Sequence, residues 1–513
     1  MKSYKRLLAL LLALLLPVMS LAGCSKKVDQ GDLSGGDIQQ SAVSSLPDNF
    51  EDADNVSYVL VYNPDLYDEY SEINNELATG DFDQNVVDTS AVRAGGLPDD
   101  TESKIVPKSQ GEMTGDFNFD GYDPSNNRAG VLVTPYSVGD THDFFYQEMM
   151  MNTRTSSTFV CRYAGEHCYI WTIDGANDVT DDQVNTCGDK FDNEIYEKEV
   201  ELFGEPRYAE DGGKIHLLLY DFDCMGQSIT LGYFNLMDIV FTSSDISEAE
   251  AESNKINVDH AIVNVNTIAL QNPAYEEYAY STMAHEFQHL IFGSSIMCEP
   301  EPQLFNVWLN EALSGYTEEV FYPGIKASHI MDLQNSNMIR HGQSLYNFGT
   351  EDADIGVYGS VYLFSEFIRE LGGEQVFHNI HDYLRTTDDS TPTDNGALYE
   401  ALGPDVVSKI NSAITLPDGV RFADEKEEFC SKLALAFYLS MLNGEIANPE
   451  AFSKIDAMTL LYDELDGCRI QGGGRVLLAT KDGKFTIPAG ADNGLVYIGL
   501  DENFKPVTGV IGG

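Results

Sequence analysis

The pattern of hydrophobic and polar positions changes near residue 282. Between about residues 115 and 270 the apolar segments are short, aromatic or β-branched, and bounded by Gly, Asp or Asn, which is typical of β-strands. One longer stretch, at about 181–202, has helical spacing instead. The predicted strands are AGVLVTPY, TFVCRY, CYIWTI, KIHLLLYDF, YFNLMDIVF and HAIVNVNTIAL. This part of the chain is therefore predicted to form a strand-rich lobe.

Beyond residue 282 the apolar residues recur every three or four positions, which predicts helices. In the first of them, Thr282 is expected to cap the start and Gly293 to end the helix. The last forty or so residues return to strands joined by Asp-Gly and Asn-Gly turns. The predicted helices cover about 282–292, 304–320, 358–371, 374–385 and 424–442. The pattern therefore predicts an α+β fold with a small C-terminal β unit.

The length of the chain, 513 residues, exceeds the size at which one hydrophobic core keeps growing, so several domains are expected. We place the strand-rich lobe at 115–280, the helical lobe at 281–470 and the C-terminal β unit at 471–513. Residues 56–114 contain short apolar pieces between acidic, Gly-rich stretches. They are compatible with a removable pro-segment or with an extra β unit, and the sequence does not decide between the two.

Residues 1–23 have the form of a secretory signal peptide. Basic residues precede the apolar run LLALLLALLLPVMS, which is too short to span a bilayer comfortably. The following LAGC, ending at Cys24, resembles the lipobox of bacterial lipoproteins, in which the cysteine is diacylated and becomes the new N-terminus. Ordinary secretion after cleavage near Ala22 is the alternative. Residues 24–55 are then a flexible tether, and the protein is expected outside the cytoplasm, at the bacterial cell surface or membrane.

The chain is strongly acidic, since 30 Lys and Arg face 83 Asp and Glu, for a formal charge of −53. Such a surface repels nucleic acid, which is not expected as a partner. It can also attract calcium, and GDFNFDGYD places Asp116, Asn118 and Asp120 at alternate positions. However, Asn127 stands where a calcium loop needs its closing Glu, and the same segment suits a strand. Ca²⁺ is therefore left as an alternative.

Eight cysteines are present, and an odd number remains when Cys24 is set aside. Export permits disulfides, but the spacing of the cysteines indicates no particular pairing. The segment CRYAGEHC, residues 161–168, could hold a metal ion together with His167. Two strands joined by a turn at Gly165 are the preferred interpretation.

The segment STMAHEFQHLIF, residues 281–292, carries the strongest chemical signal. On an α-helix, residues four apart lie about 40° apart around the axis and about 6 Å apart along it, so His285 and His289 can reach one metal ion. Glu286 is turned about 100° from His285 and can lean over the open side of that ion, where it would accept a proton from bound water. Neutral imidazoles hold Zn²⁺, and zinc lowers the pKa of bound water. These residue types therefore predict one catalytic Zn²⁺.

A catalytic zinc site needs a third protein ligand and leaves a fourth position for water. Glu311 lies on the next predicted helix, in VWLNEALSGYTEEV, residues 307–320. HExxH followed by WLNE on the next helix resembles the gluzincin clan of zinc peptidases. Several segments between about residues 130 and 385 resemble, more narrowly, the hyicolysin family of neutral zinc metallopeptidases. These segments are CRYAGEHCYIW, GGKIHLLLYDF, GYFNLMD, AHEFQHLI, WLNEALS and YGSVYLF.

The resemblance implies a thermolysin-like zincin domain, with a strand-rich lobe, a helical lobe and one zinc ion in the cleft between them. It implies that His285, His289 and Glu311 are the zinc ligands. Glu286 would be the general base that deprotonates water and then passes the proton to the leaving amine. The implied activity is hydrolysis of internal peptide bonds in proteins or peptides.

The resemblance also implies roles for residues around the metal. Asn310 would support its helix or bind the substrate backbone. Related peptidases orient a ligand His through an acid four residues after the ligand Glu, but that position is Gly315 here, so the acid must come from elsewhere, and Glu318 is one candidate. A Tyr near a Gly at the start of a later helix stabilises the oxyanion in related enzymes, which points to Tyr358. HAIVNVNTIAL, residues 260–270, resembles the edge strand that binds the substrate as an added strand.

Two other functions remain as alternatives. A surface binding or adhesion lipoprotein could keep a zinc fold without turnover, but Glu286 would then have no use. An aminopeptidase would need a segment that grips a free amine, and no GxMEN-type segment occurs upstream of His285. His378 and His381 also share a helical face, but they are spaced by three and have no general base beside them as His285 has in Glu286, so they are interpreted as surface or packing residues.

Overall fold

In the computed structural model of the chain, strands dominate up to residue 266 and helices follow. The structure describes residues 56–66, 71–72, 135–148, 153–206, 213–222, 230–240, 247–296, 307–348, 356–387, 393–416, 420–462, 469–480 and 494–511. Its strands are β1 (Tyr58–Tyr62), β2 (Ser71–Glu72), β3 (Thr141–Glu148), β4 (Thr153–Ala164), β5 (Cys168–Ile173), β6 (Ile215–Tyr220), β7 (Gly232–Phe234), β8 (Ile262–Asn266), β9 (Arg469–Ile470), β10 (Arg475–Ala479), β11 (Val496–Leu500) and β12 (Pro506–Ile511).

Most helices follow the strand-rich lobe. The described α-helices are α1 (Asp181–Lys190), α2 (Tyr196–Phe203), α3 (Met237–Val240), α4 (Glu248–Asn254), α5 (Glu276–Ile296), α6 (Val307–Phe321), α7 (Ala327–Asn335), α8 (Asn337–Arg340), α9 (Gly356–Gly372), α10 (Gln375–Thr386), α11 (Asp394–Ala413) and α12 (Glu425–Asn443). A π-helical turn, Phe191–Ile195, joins α1 to α2. The helix predicted at 181–202 is confirmed as these two helices, and the fold is α+β with a strand-rich lobe followed by a helical lobe, as in thermolysin-like zincins.

The main sheet has the strand order β3-β4-β5-β6-β8-β7. Strand β6 pairs in parallel with β5 and β8, and the other pairs are antiparallel. Along each strand, successive side chains point to opposite faces of the sheet and pack into a different hydrophobic core on each face. Leu217 and Val263 face the helices, whereas Leu218 and Ile262 join an aromatic cluster on the opposite face. The sheet therefore has helices on one face and its own aromatic layer on the other.

The prediction that HAIVNVNTIAL forms an edge strand is wrong. Strand β8, which this segment forms, is fully buried and lies between β6 and β7. Among the described strands, β7 is the edge strand on this side. The sequence analysis placed one long strand, YFNLMDIVF, where the structure has the short strand β7 followed by helix α3. This apolar run leaves the sheet after Phe234. Periodicity cannot separate so short a strand from the helical turn that follows it.

Helix α5 is longer at both ends than predicted. It begins at Glu276 and ends at Ile296. Thr282 is not the N-cap; its hydroxyl donates to the carbonyl oxygen of Tyr278 within the helix, at 2.6 Å. Gly293 does not end the helix, since α5 packs closely on the start of α3 there, and a Cβ at Gly293 would lie 2.9 Å from Cδ1 of Leu236. Both residues therefore have packing roles that local helix-end rules do not anticipate.

The other predicted helices are confirmed, with small shifts at their ends. They correspond to α6, α9, α10 and α12. Helix α9 includes Gly372 and ends before Gly373, which has φ of 74°. Helix α11 was not predicted, because Gly403, with φ of 75°, and Pro404 interrupt its periodicity. Pairing of this helix with α10 and α12 stabilises it despite the kink.

A second sheet joins the two ends of the described chain. Its strand order is β10-β1-β11-β12, so β1 is an inner strand between two strands from the C-terminal region. Leu60 and Tyr62 belong to the main hydrophobic core, and Val59 and Val61 belong to the core of this small sheet. The hydroxyl of Tyr62 donates to the carbonyl oxygen of Ser431 in α12 at 2.9 Å. Both faces of β1 are therefore packed.

Removal of β1 is expected to unfold the protein. Four buried side chains at roughly 2 kcal/mol each contribute about as much as the whole stability of a typical domain. We expect a variant lacking residues 25–66 to lose its cooperative thermal transition, measured by circular dichroism. A variant lacking only residues 25–54 is the control and should melt like the full chain. Equal melting temperatures for the two variants would contradict this role of β1.

Three histidines pack together on the aromatic face of the main sheet. The ring of His260 lies with its centroid 4.7 Å from His142 and 4.7 Å from His216. The indole N–H of Trp171 donates to Nδ1 of His216 at 3.1 Å. Burial lowers the pKa of all three histidines, and for His142 to about 4, with neighbouring His260 adding to the effect. The cluster is therefore built for neutral imidazoles.

Acid is expected to destabilise the fold through this cluster. The pKa values of these histidines lie below the unfolded value of about 6.5, so the unfolded chain binds more protons and stability is lost as pH falls from 6.5 toward 4. For His142, which is partly exposed, we expect a loss of ~1 kcal/mol between pH 7 and 5. The free energy of unfolding, measured with urea, should fall less between pH 7 and 5 for His142→Phe than for the wild-type protein. Identical slopes would rule out this contribution.

The interpretation of CRYAGEHC as two strands and a turn is confirmed. Cys161 lies in β4, Cys168 begins β5, and both are buried free thiols, as are Cys187 and Cys430. The ring of His167 stacks on Tyr196 with centroids 3.9 Å apart. These side chains are therefore used in packing.

Several predictions fall outside the described residues. They concern the signal peptide and Cys24, the tether, the calcium-loop-like segment 115–123, and three cysteines, Cys224, Cys298 and Cys468. None of the described helices combines the length with the apolar composition that crossing a membrane requires.

Candidate metal centre

Helix α5 carries His285 and His289 on one face. They are 8% and 0% exposed, and their ring centroids lie 4.7 Å apart. On other faces of the helix, Phe287, Leu290 and Ile291 are completely buried in the main core. Because a rigid, packed helix carries them, both imidazoles have defined directions.

Helix α6 packs against α5 and brings Glu311 to the two imidazoles. Oε2 of Glu311 lies 3.4 Å from Nε2 of His285, and Oε1 lies 3.4 Å from Nε2 of His289. Glu311 is 1% exposed, and the adjacent Trp308 and Leu309 are fully buried. The structure therefore brings together the three side chains that the sequence analysis singled out as metal ligands.

These three side chains fit one metal ion. Ligand atoms of His285, His289 and Glu311 all lie within 4.8 Å of one another. Bonds of about 2.05 Å at tetrahedral angles would place neighbouring ligand atoms about 3.35 Å apart. The two nitrogen–oxygen separations of 3.4 Å match this value. Two imidazoles and one carboxylate are a set that zinc accepts while keeping a fourth position open.

The charges of the site favour a cation. Burial alone would lower the pKa of His285, but hydrogen bonds to Glu311 and Glu318 outweigh it and raise the pKa to about 10. Burial would raise the pKa of Glu311, but His289 and His285 lower it below its ordinary value. Carboxylates that favour positive charge on an imidazole also favour a divalent cation at the same place.

Glu286 lies on the adjacent face of α5, against the edge strand β7. Its carboxylate accepts a hydrogen bond from the backbone N–H of Phe234, and its Oε2 has no hydrogen-bond partner within the described part of the chain. Gly232 permits this close approach, because a Cβ there would lie 2.8 Å from Cγ of Glu286. Burial raises the pKa of Glu286 well above its ordinary value, and nearby Glu311 raises it further. A carboxylate with a raised pKa suits a general base near neutral pH.

Glu318 also contacts a candidate ligand. It lies on α6, and its Oε1 is 2.7 Å from Nδ1 of His285. The same carboxylate forms an ion pair with Nζ of Lys326, a residue that is 2% exposed. Despite burial, Lys326 and His285 lower the pKa of Glu318, so the carboxylate is ionised. An ionised carboxylate at Nδ1 orients the imidazole and directs Nε2 toward Glu311.

Comparison with known proteins gives one informative likeness. No family model matches the chain. Over 250 residues the chain is 29% identical to the neutral metalloprotease ShpI of Staphylococcus hyicus, and the match covers 47% of this chain and 55% of that protein. The chain therefore spans about half the length of that relative. This likeness supports a metallopeptidase.

In a metallopeptidase, groups beyond the metal ligands must bind substrate and stabilise charge. Asn310, next to Glu311, is 6% exposed, and its Oδ1 has no hydrogen-bond partner among the described residues. Tyr358 lies in the first turn of α9 and is 7% exposed. Its ring centroid is 4.6 Å from that of Phe348 and 5.6 Å from that of His329. The ring of Tyr358 therefore packs against His329, a third histidine, which lies on another helix.

His329 is one of the residues that the sequence analysis missed. It lies on α7, and its Nδ1 is buried without a hydrogen-bond partner in the described ranges. Burial and the charge of Lys326 lower its pKa to about 3. No local motif could have identified it, because a turn separates α6 from α7 and the spacing to Glu311 has no helical meaning.

Proposed function

We propose that this protein is a zinc metalloendopeptidase of the gluzincin type, related to the hyicolysin family. In this proposal His285, His289 and Glu311 hold one catalytic Zn²⁺, and Glu286 is the general base. The observation that carries the proposal is the meeting of two imidazoles and one carboxylate, with both nitrogen–oxygen separations at 3.4 Å and a second, buried carboxylate on the same helix as the imidazoles. A purely structural zinc site would be closed by a fourth protein ligand and would have no use for the carboxylate of Glu286.

The chemistry of the proposed reaction is divided between the metal and the chain. Bound zinc would supply Lewis acidity, which polarises the peptide carbonyl and makes water more acidic. Glu286 accepts a proton from the attacking water at its carboxylate and later donates it to the leaving amine. The hydrogen bond from Phe234 holds the carboxylate in place during both steps. Burial supports this role, because it raises the pKa of Glu286 toward the range in which a group both accepts and releases protons.

The substrate is proposed to bind along β7 as an extended strand. β7 is the edge of the main sheet among the described strands, so its outer backbone groups can pair with a peptide. The same strand contacts Glu286 through Phe234, and this contact supports the proposal because a peptide paired with β7 would lie close to the base. Recognition through the backbone would permit broad specificity, since side chains only fill pockets. The substrate is therefore still proposed to bind as an added strand, but along β7 rather than β8.

Two side chains are candidates for stabilising the oxyanion. Tyr358 can donate through its hydroxyl, and His329 can donate through a ring N–H as a neutral imidazole. Their rings are in contact, and His329 lies within the electrostatic reach of His285 and Glu311. We assign the role to this pair, with Asn310 as a group that binds the substrate backbone.

Two alternatives differ in measurable ways. A binding lipoprotein that keeps zinc without turnover would cut no peptide. An aminopeptidase would cut only peptides that have a free N-terminus. An endopeptidase should cut a peptide that is blocked at both ends as readily as the same peptide with a free amine.

A quenched fluorescent peptide library, made in blocked and free forms, tests the proposal. The purified protein should cleave both forms, lose activity with a zinc chelator and regain it with added Zn²⁺. The Glu286→Gln protein, purified in the same way, controls for contaminating peptidases. Cleavage restricted to free N-termini would reject the endopeptidase assignment, and no cleavage by a zinc-loaded protein would favour the binding protein.

Export and lipid anchoring at Cys24 are proposed from the sequence alone. Membrane and soluble fractions of a bacterial host, compared for the unchanged protein and for Cys24→Ser, test the anchor. The variant should move to the soluble fraction. Unchanged retention in the membrane fraction would count against lipidation of Cys24.

A further inference from the structure

Lys326 is a buried lysine that contacts the proposed zinc site through one carboxylate. It is 2% exposed, and its Nζ pairs with Oε1 of Glu318. The same oxygen lies 2.7 Å from Nδ1 of His285. Nε2 of His285, on the other side of the ring, faces Glu311 at 3.4 Å. A continuous chain of contacts therefore joins the lysine to the metal site.

The turn between α6 and α7 holds the backbone of Lys326 in place. Oε1 of Glu319 accepts the backbone N–H of Gly324 at 2.8 Å, and Oε2 accepts the backbone N–H of Lys326 at 3.2 Å. Gly324 has φ of 96°, a conformation that other residues rarely adopt. The lysine therefore starts from a defined backbone position at the beginning of α7.

The end of the Lys326 side chain lies over Gly315 on α6. A Cβ at Gly315 would lie 3.8 Å from Cε and 3.9 Å from Nζ of the lysine. Position 315 is where the acid of related peptidases is expected, four residues after Glu311. Here a glycine leaves that space to the lysine, and Glu318, about one helical turn later, supplies the carboxylate.

Stability alone gives little reason to bury this lysine. Removing an ammonium from water is unfavourable, and its attraction to a carboxylate offsets this cost only with good geometry. The carboxylate has a second contact, at Nδ1 of His285, that a structural ion pair would not need. A carboxylate held there accepts the N–H of Nδ1, which leaves Nε2 as the nitrogen that binds a metal.

We propose that Lys326 is a positioning residue of the metal site, whose ammonium holds the Glu318 carboxylate against Nδ1 of His285 so that Nε2 is presented to the metal. This inference rests on the proposed function, because it requires that His285 binds a metal ion. Lys326 acts through Glu318 in this proposal and is not one of the residues that would hold the metal.

Zinc affinity, measured by competition with a chromophoric chelator, tests this role. Lys326→Met should weaken zinc binding about 10- to 100-fold, the usual effect of losing a group that orients a ligand. Lys326→Arg keeps the positive charge and should recover most of the affinity. Because Lys326 acts through Glu318, the double variant Lys326→Met with Glu318→Gln should bind zinc no more weakly than Glu318→Gln alone.

A second measurement reports the geometry of the site. The visible spectrum of the Co²⁺-loaded protein depends on coordination, and it should change in Lys326→Met and return in Lys326→Arg. The matched control is Lys432→Met, which removes another largely buried lysine, one whose Nζ lies 2.7 Å from Oε1 of Glu428. The control should leave zinc affinity and the Co²⁺ spectrum unchanged. Thermal unfolding of each zinc-stripped variant shows whether it is folded.

Each outcome supports or overturns one of the two proposals. Unchanged zinc affinity in a folded Lys326→Met protein would overturn the role of Lys326, as would additive losses in the double variant. If Lys326→Met does not fold, Lys326→Gln and Glu318→Gln are compared instead, and unchanged zinc affinity in both would overturn the role equally. If the wild-type protein does not bind one zinc ion per chain, the proposed function itself is overturned, whatever the variants show.

Discussion

Replacement of Glu286 by glutamine is expected to abolish peptide hydrolysis while leaving one zinc ion per chain. Glutamine has the size of glutamate and can still accept the hydrogen bond from the backbone of Phe234, so α5 and the metal ligands should not move. It cannot accept the proton of the attacking water. General bases contribute about 10²- to 10⁴-fold to rates, and we expect kcat to fall within or beyond this range. Zinc content by elemental analysis and kcat with a blocked peptide are the two measurements.

The matched control for Glu286→Gln lies on the same helix. Glu277 is exposed near the start of α5, and Glu277→Gln should change neither zinc content nor kcat. Retention of full activity by Glu286→Gln would show that another group is the base. Loss of zinc together with activity would show that Glu286 is needed for the metal site rather than for proton transfer.

Replacement of Glu311 by alanine should weaken the binding of zinc itself. The change removes the carboxylate between the two imidazoles and leaves His285 and His289 as the remaining ligands. Mutation of a residue that only holds a metal ligand in place lowers metal affinity about 10- to 100-fold. Removal of a ligand itself should therefore lower zinc affinity more than about a hundredfold. Chelator competition measures the affinity, and hydrolysis should fall in parallel with zinc content.

Two further variants separate loss of the ligand from loss of the fold. Glu311→Gln preserves the shape of the side chain in its buried site but removes the charge, and it should also bind zinc weakly. Glu400→Ala removes an exposed acid from α11 and should bind zinc normally. Full zinc occupancy in Glu311→Ala at low zinc concentration would reject Glu311 as a ligand.

Local patterns predicted most of the long elements. Apolar residues in β5 and β6 form continuous buried runs bounded by turn residues, and those in α9 and α10 have helical spacing. Elements with mixed local signals were missed or misplaced. Helix α11 was missed because Gly403 and Pro404 interrupt its helical period. The three residues of β7 were predicted as one strand together with the helical turn that follows them. In each case tertiary packing stabilises a conformation that the local sequence does not favour.

Candidate ligands on one helix were easier to identify than groups from different helices. The spacing of His285 and His289 places them on one face of any helix that contains them. Glu318 was named only as one candidate, and its contact with His285 depends on how α6 lies against α5. His329 and Lys326 had no signal at all, because the turn at Gly324 determines where α7 begins.

The sequence by itself determined which residue types are present and at what helical spacing, and this was sufficient to predict a zinc-binding pair and a base, because helical geometry is local and repeats every 3.6 residues. Glu311 was predicted as the third ligand from the resemblance of its segment to the gluzincin clan, since no local period relates it to His289. Only the tertiary structure decided that β7 rather than β8 is the edge strand, that β1 closes a sheet with the C-terminal strands, that Lys326 pairs with Glu318 and that His329 packs against Tyr358. Those relations join residues from different elements, and they follow from how the elements pack rather than from any local period.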